Sequence, residues 1–114
     1  MSETLQIKIR ADHAAATDDA LGRQRCGWFD GITADDAWHR GRGEWSLDPT
    51  RAFNAATVEI VNDDDVVISV ATVEAMIRTK PGKYVIEGTV IADDPRIGHT
   101  SPHRHPSRNR INYY

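Results

Sequence analysis

The sequence predicts an α+β domain built on a mixed, mostly antiparallel sheet with two or three short helices, and three observations carry that expectation. Leu5, Ile7 and Ile9 alternate with Gln6, Lys8 and Arg10, the period of a strand with one buried face. Two β-branched runs, residues 57–62 and 66–73, flank Asp63, Asp64 and Asp65, residue types that tolerate turn conformations and keep a loop solvated. Thr33 and Asp48 each stand where a helix cap is needed, the first before Asp35 and Asp36, the second before Pro49.

In chain order, the first strand is expected over residues 4–10. Asp12 to Leu21 is alanine-rich and followed by Gly22, which predicts a short helix closed by glycine. Cys26, Trp28 and Phe29, between Gly27 and Gly31, read as a turn whose aromatics pack onto the core. The helix capped by Thr33 should end in Arg40-Gly41-Arg42-Gly43, since paired glycines propagate a helix poorly. A turn or two of helix is expected over residues 49–55. Residues 57–91 then read as an antiparallel meander of three strands, with a second turn at Lys80-Pro81-Gly82-Lys83 and an interruption at Gly88. Beyond Asp93-Asp94-Pro95 the pattern dissolves until Ile111, Tyr113 and Tyr114, an apolar ending suited to a terminal strand docked on the sheet.

The length of 114 residues suits one domain, residues 1–114, with one modest core. With 39% hydrophobic and 27% charged residues the composition is that of an ordinary globular chain, and no apolar run approaches the roughly 20 residues of a membrane span. Residues 1–10 alternate as a strand and lack the apolar stretch of a secretory signal, so a cytoplasmic location is expected. Cys26 is the only cysteine, which rules out an internal disulfide and fits a reducing compartment.

Charge is placed unevenly. The net formal charge is −3, yet residues 95–114 hold Arg96, Arg104, Arg108 and Arg110, three histidines and no acid, leaving ten basic against seventeen acidic side chains in the first 94 residues. Such a basic arm can bind a polyanion, its own acidic body, or an acidic partner protein.

Several clusters carry chemistry in principle. His99, His103 and His105 are metal-ligand types, but their spacing matches no structural zinc site and no carboxylate lies near them in sequence; solvated or polyanion-facing imidazoles are the expectation, with no metal and no cofactor. Cys26 reads as a buried thiol, with a nucleophile served by His13 or His39 as the alternative. Asp63 to Asp65 lack the spacing of a calcium loop. The segment from Trp38 to Trp45 sets Arg40 and Arg42 among tryptophans and glycines; tryptophan stacks on bases and arginine grips phosphates, although core anchoring and ion pairing would explain the same residues.

Gly41-Arg42-Gly43-x-Trp45, the helix start at Pro49-Thr50-Arg51-Ala52, the meander, and the closing Gly98, Ser107, Asn109, Ile111 and Tyr113 together resemble small PUA-like domains over residues 38–114. The resemblance implies a sheet curling into a pseudo-barrel, with a groove that in many members receives RNA or a modified base. It also implies that Arg42, Trp45 and Asn109 line the site, by phosphate contact, stacking and base-edge hydrogen bonding, and that Arg104 and Arg108 add backbone contacts from the arm. The expected function is a non-catalytic binding module for nucleic acid, RNA or DNA, or for a nucleotide-like ligand, with Arg40, Arg42, Trp45, Arg104, Arg108 and Asn109 as its site. The alternatives are a bacterial or phage interaction or inhibitory module for an acidic protein, and a small metal-dependent hydrolase using the C-terminal histidines.

Overall fold

The computed structural model describes residues 3–106 and 109–114, so the predicted contact residue Arg108 lies outside the described residues. Among the described residues nine strands and two helices follow one another: β1 (Thr4–Lys8), β2 (His13–Ala14), β3 (Arg25–Cys26), α1 (Ala34–Gly41), β4 (Trp45–Ser46), α2 (Pro49–Phe53), β5 (Thr57–Val61), β6 (Val67–Ala71), β7 (Ala75–Lys80), β8 (Lys83–Glu87) and β9 (Ile111–Tyr113). The result is an α+β fold whose strand pairs are mostly antiparallel. Its main sheet has the order β6-β5-β1-β9, a second the order β4-β8-β7, and β2 pairs with β3; among the described residues no sheet closes into a barrel.

The alternation in β1 decides what each face of the main sheet meets. Leu5 lies opposite Val58 and Ile7 opposite Ile60 in the parallel β1–β5 pair, and these four, all fully buried, pack with Trp38, Ala52, Ala71 and Ile86 as the core. On the alternate positions Gln6 stands beside Glu59, and both are as buried as the apolar residues, because the segment from Ile91 to His105 covers that face. Ile91 and Ile97 pack on Val61, Val67 and Val70. Gly98 N donates to Val67 O at 2.8 Å, Val67 N to His99 O at 2.9 Å, and Ser101 N to Asp65 O at 2.8 Å. This part of the arm therefore lies on its own chain, with Arg96 on Glu59 at 3.1 Å and Arg104 beside Asp65 at 3.5 Å. A buried pair, Lys8 and Asp65 at 3.3 Å, extends this polar layer.

The structure corrects two expectations. Residues 12–21 form no helix: His13–Ala14 is strand β2, and turns follow. The alanines there offer no apolar stripe at helical spacing, and the Asp19 carboxylate accepts from Arg23 N at 2.8 Å and from its guanidinium at 2.7 Å, a local bond that competes with helix. Gly22 supplies the left-handed conformation the turn needs (φ +66°). The meander is also not three strands of one sheet. It holds four, of which β5 and β6 join the main sheet and β7 and β8 the second, because the chain turns away after Ala71. Residues 89–91, expected as strand, make only a bridge between Val90 and Ala71. Among the described residues no helix is long and apolar enough to cross a membrane.

Candidate functional site

The helix α1 begins where the sequence places its cap, with Thr33 Oγ1 accepting from Asp36 N at 3.1 Å. Its other end is held by Arg23, which pairs with Asp19 and donates to the carbonyls of His39 and Arg40 at 3.2 and 3.1 Å, satisfying acceptors that a helix C-terminus leaves free. Gly41 and Gly43 serve packing: a Cβ at Gly41 would lie 2.7 Å from Ile60 Cδ1, and one at Gly43 would lie 2.7 Å from Val85 Cγ2. Their lack of a side chain brings helix and sheet together, which is a different role from admitting a ligand.

Trp45 follows from this contact. Its strand pairs it with Tyr84, and its indole Nε1 donates to Gly41 O at 2.6 Å, leaving the ring half-buried at the wall of a cavity of about 330 Å³. Arg10, Arg23, Arg40 and Arg110 also line that cavity. A neighbouring hollow of about 390 Å³ shares Glu44, Trp45 and Arg110 with it and adds Lys83 and Asn109, so the two make one groove.

Of the residues singled out from sequence, Arg40, Trp45 and Asn109 are brought together here, and Arg42 and Arg104 are not. Arg42 donates to Ile86 O at 3.0 Å and faces Glu87 at 3.6 Å, tying α1 to β8. Arg104 is 83% exposed beside Asp65 and lines neither part of the groove. Arg40 reaches the groove but is held by Asp12 at 2.8 Å and lies over the Phe29 ring at 5.0 Å. Asn109 Oδ1 accepts from Ile111 N at 3.0 Å, which fixes the entry to β9.

Among the described residues, the arginines of the groove without such duties are Arg10 and Arg110. Neither guanidinium has an ion pair or hydrogen bond among the described residues, although the backbone carbonyls of both are bonded, to Trp28 N at 3.0 Å and Lys8 N at 3.0 Å. Arg10 could have been found from the sequence as the polar position closing the β1 alternation; Arg110 was legible only as one of the four arginines of the basic arm, next to Asn109.

Electrostatics distinguish the two kinds of arginine. Hydrogen bonds from Arg25 and then Arg40 pull the Asp12 carboxyl down to about 2, so Arg40 is matched by a firmly ionised partner. His13 and Cys26 lie opposite one another in the β2–β3 ladder and both line the groove, but no hydrogen bond joins them and the His13 ring is bonded to Ala11 O at 2.9 Å. The base-to-nucleophile bond of a thiol enzyme is thus missing from their arrangement. His99 and His103 lie on another cavity and His105 is buried at Asp65; among the described residues no three His, Cys, Asp or Glu side chains converge as metal ligands do. No family model matches the chain, and neither a curated protein nor a solved structure matches it.

Proposed function

We propose that the chain is a non-catalytic binding module that takes nucleic acid or a nucleotide-like ligand in the groove beside Trp45. The observation that carries this reading is the pair of arginines, Arg10 and Arg110, that share the groove with a half-buried indole and have no carboxylate partner among the described residues. Guanidinium groups without a protein partner suit phosphate oxygens, and an indole suits the face of a base. It goes with a PUA-like reading of the fold, in which the four- and three-stranded sheets are the halves of a pseudo-barrel around Trp38 and Ile86. A role for the arm in gripping an acidic partner has less support, since Arg96 already faces Glu59 and Asp94.

Fluorescence titration with single-stranded RNA and DNA tests the reading. Saturable quenching is expected, weakening as salt rises because phosphate contacts release counterions. Substituting both arginines, Arg10→Ala with Arg110→Ala, should lower affinity about tenfold or more, and Trp45→Phe should remove the quenching. An Arg104→Ala variant should bind as the parent does. Equal affinity of the double variant and the parent would refute the assignment of the groove.

A further inference from the structure

A separate cavity of about 380 Å³ lies under the arm and shares no lining residue with the Trp45 groove; Glu59, Val67, Arg96, Thr100, His103 and Tyr114 are among its walls. Glu59 is 1% exposed. Its Oε2 accepts from Arg96 Nη1 at 3.1 Å and from the Tyr114 hydroxyl, while its Oε1 has no hydrogen-bond partner among the described residues. An ionised carboxylate has room for about four hydrogen bonds, so one whole oxygen is left over inside the protein. Buried polar groups are nearly always satisfied, and an exception asks for an explanation in function.

The surroundings narrow what would satisfy it. Arg96 is shared between Glu59 and Asp94, two carboxylates against one guanidinium, a formal −1 that disfavours an anion. Of the remaining walls, Val67, Pro95 and Pro102 are apolar, His99, Thr100 and Ser101 are polar, and the His103 ring is stacked on Tyr114 with centroids 4.0 Å apart and planes 15° from parallel. The lone free oxygen and the absence of a converging ligand set among the described residues disfavour a metal ion. The volume lies at the lower end of the roughly 300–1,000 Å³ of small-molecule sites.

We infer that this cavity binds a small organic cation, an amine whose ammonium group is taken by Glu59 and whose apolar or aromatic body rests against Val67 and the His103–Tyr114 stack. The carboxylate supplies the charge selection. The stacked rings supply a surface for the body of the ligand, to which a cation is also attracted. This site is independent of the Trp45 groove and stands or falls apart from it.

The test uses the full chain, labelled with nitrogen-15 and titrated with benzylamine, benzyl alcohol and benzoate in parallel. Benzylamine should shift the amide signals of Val67, Thr100, Ser101 and His103 saturably, with an affinity at least about tenfold above that of either neutral or anionic analogue. Glu59→Gln should erase that preference for the amine. Because Glu59 is buried and its variant can fail to fold, Pro102→Trp, at an exposed position on the wall, gives a second arm: it should block benzylamine while the remaining amide signals keep their places. Benzoate binding as well as benzylamine, no shift in these residues up to about 10 mM ligand, or unaltered binding in Pro102→Trp would each overturn the inference.

Discussion

Asp12 accepts from Arg25 and from Arg40, both at 2.8 Å, and so joins β3 to α1 at one edge of the groove. Its carboxyl titrates at about 2 in the folded chain against an ordinary 3.8, the first cause being the hydrogen bond from Arg25. A depressed carboxyl stabilises the fold above its unfolded value, and that contribution is lost as the pH falls through the folded value. Between about pH 4 and pH 2 the urea midpoint of the parent should therefore drop further than that of Asp12→Asn, and parallel curves would show that the pairing does not stabilise the fold. Asp65 is a second such carboxyl. Burial alone would raise it, but the His105 amide, Lys8 and Arg104 together hold it below its usual value. The same scale separates site residues that the sequence reveals from those it hides. Trp45 and Asn109 stand out by type, whereas Arg10 and Arg110 are marked out from the other arginines when the fold sets both on the wall of the groove with no ion pair among the described residues.

Elements that could be read from sequence are those fixed by neighbours in the chain. Thr33 and Asp48 cap α1 and α2 where expected, each such cap being worth about 1 kcal/mol, and the β5–β6 hairpin turns at Asp63–Asp65 with Asp65 in the left-handed region (φ 60°). What could not be read depends on distant contacts. The segment 12–21 gives up helix to the Asp19–Arg23 pair that also closes α1, and the run 57–91 divides between two sheets where Gly88 meets Thr72. A Cβ on Gly88 would lie 1.9 Å from the Thr72 carbonyl oxygen, backbone against backbone. Gly88→Ala is therefore expected to destabilise by about 3 kcal/mol or more, measured by chemical unfolding, since neither strand can move without disturbing its own sheet. A cost under about 1 kcal/mol would show that the junction is pliant.

At the level of the whole molecule, β1 is completed from both sides by segments far along the chain, β5 on one flank and β9 on the other. Thr4 N donates to Tyr114 O at 2.7 Å and Lys8 N to Arg110 O at 3.0 Å, and Tyr114 reaches Glu59. Removing residues 111–114 would bare this edge and uncover Ile111's place against the core. A fall in Tm of at least about 10 °C, equivalent to about 2 kcal/mol for a chain of this size, is expected, with concentration-dependent association in sedimentation. An unchanged Tm and a monomer would mean that β9 is dispensable.

The late arrival of β9 also sets a timetable for biosynthesis. Chains emerge from the ribosome N-terminus first, so β1 appears before either of the strands that flank it. Its first flank is filled only when residues 57–61 follow, and its second only when residues 111–113 have cleared the exit. Throughout that interval the growing chain presents an open strand edge beside its central apolar residues, the kind of surface that a chaperone recognises. Slowing translation between β8 and β9 would lengthen the exposure without altering a single amino acid of the product.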